Sequence, residues 1–187
     1  MTIICALHDP ERGCTWIGSD TQCGTTYMNF PSHPKWVVNG IWAAGIAGDY
    51  RAHLLIETAS EVLARGSPHL ICNGIRDVFR DDGFEPARDK DGSGFPHFGQ
   101  NIILASPAGI WSVDTCLAAA MVKEPFFADG SGWELAQGAF FAMRELVAAH
   151  GHASMAPRDI VEMAIRAAMN VDRKCGGEVW LHKLEKT

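Results

Sequence analysis

The sequence predicts an α+β protein in which two antiparallel sheets pack together and carry helix pairs on their outer faces. Three observations predict it. The chain has 187 residues, about one domain's length and enough to bury a core without disulfide or metal staples, so residues 1–187 read as a single domain. Its 47% hydrophobic and 20% charged residues are ordinary for a globular fold, with no repeat or linker. Its segments come in groups, strands then two helices, strands then two helices, then a strand. A parallel sheet would instead alternate strand and helix.

The elements follow in order. Thr2 to Leu7 is short and β-branched, bounded by the turn Asp9-Pro10 to Gly13, and Cys14 to Ser19 is its hairpin partner. Asp20 to Pro34 carries Gly24, Asn29, Pro31 and Pro34 and reads as mostly loop. Lys35–Val38 and Ile41–Ala47 pair around Asn39-Gly40, a hairpin signal. Asp49 caps a helix whose inner face is Ala52, Leu55, Ala59 and Val62, with Gly66 ending it. Ser67-Pro68 opens the next, with Leu70, Ile71, Ile75, Val78 and Phe79 on its apolar side. The stretch Phe84 to Gly99 is a long loop rich in Gly and Pro.

Strands return at Gln100–Ala105, Ile110–Val113, Cys116–Val122 and Phe126–Ala128. Two helices follow, one with Ala136, Ala139, Phe140, Met143 and Val147 on a face, the other starting at Pro157 with Ile160, Val161, Ala164, Ala168 and Val171. A last strand runs from Glu178 to Leu184.

Charge and cysteines narrow the function classes. A net charge of −6 argues against a nucleic-acid or anionic-membrane partner, and no apolar run has the length of a membrane span. The start, Met1 to Gly13, has no signal-peptide pattern, so a cytoplasmic location is expected. The 6 cysteines are scattered without a C-x-x-C pair and read as reduced thiols. The 8 histidines show no metal spacing, and the Asp89–Gly94 run lacks a glutamate at the twelfth position of a calcium loop, so no metal and no cofactor is expected.

Six features could carry chemistry. Removal of Met1 would leave Thr2 with a free α-amine next to its hydroxyl, a weak nucleophile that such a base can activate. Asp20 ends the strand that pairs with the N-terminal one, and Lys35 opens an apolar strand where its ammonium can meet Asp20 and tune a nearby amine. Read singly, these are a common second residue, a turn aspartate and an edge lysine. Gly45, with Gly48, stands where a strand backbone can approach a ligand, and an N–H there could receive an oxyanion. Gly130-Ser131-Gly132 precedes a helix, and Ser131 with Glu134 also fits a capping box. Asp172 to Gly177 joins a helix to the last strand.

Taken together and in this order, these segments resemble the proteasome-type N-terminal nucleophile (Ntn) hydrolases: proteasome β subunits, the bacterial HslV peptidase and their small bacterial relatives. The resemblance spans nearly the whole chain. It rests on Thr2-Ile3-Ile4, Ile17-Gly18-Ser19-Asp20, Lys35, Ala44-Gly45-Ile46-Ala47-Gly48-Asp49, Ala128-Asp129-Gly130-Ser131-Gly132 and Asp172-x-x-Cys175-Gly176-Gly177. It implies a four-layer αββα sandwich and a threonine-type endopeptidase. Thr2 would be nucleophile and, through its amine, base; Lys35 would tune the amine, held by Asp20; Gly45 N–H would form the oxyanion hole. Ser131, Asp172 and Cys175 would complete the network around the amine, Cys175 standing where the family usually has serine. The implied substrate is a peptide or unfolded protein, and the implied partners are further copies in a homo-oligomeric ring and an ATP-dependent unfoldase. Two other readings use the same fold: a non-catalytic ring or scaffold subunit, and an amidase acting on a small molecule.

Overall fold

The structure, a computed structural model, describes residues 2–24, 29–31, 33–84, 86, 97–150 and 155–186. Met1, most of the stretch between Phe84 and Gly99 with its Asp89–Gly94 run, and His152 lie outside the described residues.

Strands β1 (Ile3–Asp9), β2 (Cys14–Asp20), β10 (Phe126–Gly130) and β11 (Val179–Glu185) form one antiparallel sheet in the order β10-β1-β2-β11. Strands β5 (Trp36–Asn39), β6 (Trp42–Ala47), β7 (Asn101–Ser106), β8 (Gly109–Val113) and β9 (Ala119–Met121) form a second, in sequence order. Helices α1 (Tyr50–Thr58) and α2 (Pro68–Asp81) follow β6, and α3 (Trp133–His150) and α4 (Pro157–Val171) follow β10.

The layers follow from strand alternation. Successive side chains of a strand face opposite ways, so a strand buried on both faces reads as an unbroken apolar run. In β1, Ile3, Cys5 and Leu7 pack on Ala136, Phe140, Val161, Ile165 and Ala168 of α3 and α4. The intervening Ile4 and Ala6 meet Ala43, Ala47, Ile103 and Ala105 of the other sheet. In that sheet Ala44, Ile46, Ile102 and Leu104 turn outward to Ala52, Ile56, Ile71, Ile75 and Phe79 of α1 and α2. The result is the αββα sandwich.

Gly45 belongs to this core. A Cβ on it would come within 2.6 Å of Ile4 Cγ2, so its missing side chain is what lets the sheets meet there. Gly45→Ala is expected to lower stability by about 1–3 kcal/mol through overpacking, read by denaturant melts.

Several expectations are corrected. The Asp20–Pro34 loop contains two short paired strands, β3 (Gln22–Gly24) and β4 (Asn29–Pro31). The single helix expected from Asp49 to Gly66 breaks at Ala59 into α1 and a 3-10 turn, Ser60–Arg65, before Gly66 ends it in the left-handed region. Leu70 is 48% exposed and Val171 65%, because the buried stripes run through Ile71, Cys72, Ile75 and Phe79 and through Val161, Ala164, Ile165 and Ala168. The strand expected over Cys116–Val122 shrinks to β9 because Asp114 Oδ1 accepts from Cys116 N and Ala118 N, each at 2.9 Å, and folds that chain into a turn.

Candidate active site

Thr2 precedes β1 on the same strand face as Ile4, so its side chain enters the space between the sheets at one open end of the sandwich. The antiparallel partner strand ends there with Asp20, and β5 begins there just after Lys35. Strand ends alone therefore bring these three residues together from distant positions.

Asp20 is fully buried and its carboxylate accepts four hydrogen bonds. Thr2 Oγ1 donates to Oδ1 at 2.9 Å, Lys35 Nζ at 2.7 Å and Ile3 N at 3.1 Å, while Gly176 N donates to Oδ2 at 2.9 Å. Lys35 is itself buried, and its backbone N–H is held by Ser19 Oγ at 2.9 Å. A buried ion pair is tolerated only when its remaining polar valences are met in this way.

The second polar group flanks Thr2 on its other side. Ser131 Oγ lies 3.4 Å from the Thr2 carbonyl oxygen, to which it donates, and 3.6 Å from Cys175 Sγ. Cys175 Sγ donates to Asp172 Oδ2 at 3.4 Å, and Lys174 N donates to Asp172 Oδ1 at 2.9 Å. Burial raises the Asp172 carboxyl, but the nearby Ser131 hydroxyl and the hydrogen bonds from Lys174 and Cys175 outweigh it and leave its pKa below the ordinary value. Burial pushes the Cys175 thiol up to about 12, opposed by the nearby Ser131 hydroxyl and with the Asp20 and Asp172 charges adding to the rise. That thiol stays protonated and acts as a hydrogen-bond donor, as a serine would. Helix α3 begins only at Trp133, so Ser131 lies one residue before the capping position and faces Thr2; the expected capping box with Glu134 is not the geometry found.

A shallow cleft of about 30 Å3 opens beside these groups, lined by Thr2, Lys35, Ile46, Gly48, Asp49, Tyr50 and His53. Gly45 does not reach it. Ile46 N donates to Lys35 O at 2.9 Å, so strand alternation turns the Gly45 N–H the other way, toward its register partner Ile103. The glycine in the cleft wall is Gly48. Its φ of 148° and the 1.9 Å that would separate a Cβ from Gln100 Oε1 both demand glycine. Gln100 Oε1 in turn accepts from Asp49 N at 2.7 Å, and Asp49 caps α1 by accepting from Arg51 N at 2.9 Å.

Tyr50 and His53 are cleft residues that the sequence reading missed. Their three-residue spacing in the first turn of the helix that Asp49 caps was the available signal. The rings stack at 5.8 Å with 11° between planes, and burial lowers the His53 imidazole below its ordinary pKa. Among the described residues no group of three or more His, Cys, Asp or Glu is placed to hold a metal ion, and no helix is long and apolar enough to cross a membrane.

No protein-family model and no curated protein matches the chain. Solved structures do. Thiobacillus denitrificans BPH in complex with epoxomicin is 18% identical with a TM-score of 0.79, over 98% of this chain and 98% of that one. Thiobacillus denitrificans BPH is 19% identical with a TM-score of 0.75, over 99% and 98%. Eukaryotic HslV from Trypanosoma brucei is 17% identical with a TM-score of 0.70, over 99% and 100%. The fold of this chain is the αββα sandwich that these proteins, HslV among them, share.

Proposed function

We propose that the chain is a threonine-type peptidase whose nucleophile is Thr2 after Met1 is removed. The observation that carries this reading is the convergence of Thr2 Oγ1 and Lys35 Nζ on one buried carboxylate oxygen of Asp20, at the edge of an open cleft.

In this reading the free Thr2 amine, with an unperturbed pKa of about 7.7–8.0, takes the Oγ1 proton as that oxygen attacks the substrate carbonyl carbon. The Lys35 ammonium favours the neutral amine, and Asp20 holds both lysine and nucleophile in place. The carbonyl oxygen becomes an oxyanion and accepts from Gly48 N–H, which replaces Gly45 in that role. Collapse of the tetrahedral adduct breaks the C–N bond, and the amine's proton leaves with the departing nitrogen. The Thr2 ester that remains is cleaved by water, again with the amine as base. Ile46, Tyr50 and His53 surround the acyl side chain.

Ring assembly, a cytoplasmic setting, unfolded-protein substrates and an ATP-driven unfoldase belong to the same reading, supported by the likeness to HslV. Light scattering of the purified protein tests the ring, and a mass of one chain would refute it. Hydrolysis of a fluorogenic peptide by the Met1-free protein tests the chemistry.

Two substitutions sharpen it. Gly48→Ala is expected to cut kcat about 100-fold, because the Cβ displaces Gln100 and moves the donor N–H. Cys175→Ser is expected to keep turnover within a few-fold and leave the pH–rate profile unshifted between pH 6 and 9, since a thiol pushed to about 12 does not titrate there. A basic limb that moves on this substitution would contradict the donor role.

A further inference from the structure

Three strand pairs close the open end of the sandwich. Strand β2 lies over β5, β1 over β6, and β10 over β7. Asp20 and Lys35 bridge the first pair and Thr2 faces the second. The third carries a polar pair the mechanism does not use: Asn101 Nδ2 donates to Asp129 Oδ1 at 3.3 Å.

Strand alternation explains why Asp129 points there. Phe126 and Ala128 face α3 and α4, while Phe127 packs on the inter-sheet core, so Asp129 also faces between the sheets. Its register partner is Ile4, two residues from Thr2 and on the same face, which places Asp129 diagonally across from the nucleophile at about 7–8 Å between Cα atoms. Asn101 is the register partner of Ala47, the residue before Gly48. The pair thus flanks Thr2 on the side away from Lys35.

The two ends differ in charge. Asp20 has the Lys35 ammonium, whereas among the described residues Asp129 has only the neutral Asn101 amide and its neighbour Gly130 N, both on Oδ1. Among the described residues Oδ2 has no hydrogen-bond partner, and it is not one of the two polar side-chain atoms sealed from solvent without a partner, Trp36 Nε1 and His53 Nδ1. The half-buried carboxylate has its pKa raised by burial, against the hydrogen bonds from Gly130 and Asn101, and no lysine or arginine among the described residues offsets that rise. Its charge lies one strand from the nucleophile with an oxygen open to solvent.

We propose that Asp129, oriented by Asn101, binds the cationic side chain of a lysine or arginine that follows the scissile bond. The inference rests on Thr2 as the attacking residue: the acyl side chain takes the cleft of Lys35, Tyr50 and His53, which leaves the departing segment on the β10 side. Asp129 is a specificity-determining residue here, with no part in bond breaking.

The test uses three peptides identical except that lysine, alanine or glutamate follows the cleavage point. Their affinities for the Thr2→Ala protein, which does not turn them over, are measured by calorimetry. The lysine peptide is expected to bind about tenfold more tightly than the alanine peptide, and the glutamate peptide more weakly than either. The isosteric Asp129→Asn change should erase the lysine advantage, and added salt should narrow it in the protein that keeps Asp129. Equal affinities, no binding of the lysine peptide, or a lysine preference that survives Asp129→Asn would overturn the proposal. Failure of the Met1-free protein to cleave any of them, with the binding order as expected, would instead refute the peptidase reading.

Discussion

Thr2→Ala is expected to abolish peptide hydrolysis, by about 10,000-fold or more, and to leave the fold in place. The asymmetry has a physical basis. The hydroxyl contributes one hydrogen bond to Asp20, which has three other donors, so its loss costs about 1 kcal/mol of stability. The reaction loses its only attacking atom. The β1 register is set by Ile3, Ile4 and Cys5, all buried and all unchanged, so circular dichroism should be the same for both proteins. Hydrolysis that survives the substitution would place the nucleophile elsewhere.

Asp20→Ala is expected to remove activity and also to destabilise the protein, by about 3–5 kcal/mol, because it leaves the buried Lys35 ammonium unpaired and strips acceptors from Ile3 N and Gly176 N. For a domain of this size that is a drop of roughly 10 °C in melting temperature. Removing the lysine charge as well separates the two effects. The double change Asp20→Ala with Lys35→Met should recover much of the lost stability while remaining inactive. A double variant as unstable as the single one would mean that the ion pair is not what Asp20 holds together.

The fold was legible to the extent that each strand declares its own two faces. Thr2, Asp20 and Lys35 could be picked out because each sits at a strand end, where a polar residue beside an apolar run stands out. Which glycine walls the cleft was less legible. Gly45 and Gly48 lie three residues apart in one apolar segment, and only the sheet register separates the one that meets Ile4 from the one beside Lys35. Asp129 was hidden for the same reason, since its neighbour across the sandwich, Asn101, is 28 positions away. The short pairing of β3 with β4 was masked by the Gly and Pro content of its segment, and the break after Thr58 by a run of good helix formers. Local propensity decides neither.

The central claim is that Thr2 acts through its own free amine. The measurement that tests it most directly compares peptide turnover by two preparations whose intact masses differ by the methionine alone, one retaining Met1 and one beginning at Thr2. Turnover by the Thr2-initiated chain, and none by the chain in which Met1 acylates that nitrogen, is the expected result. Equal turnover by both, or none by either, would contradict it.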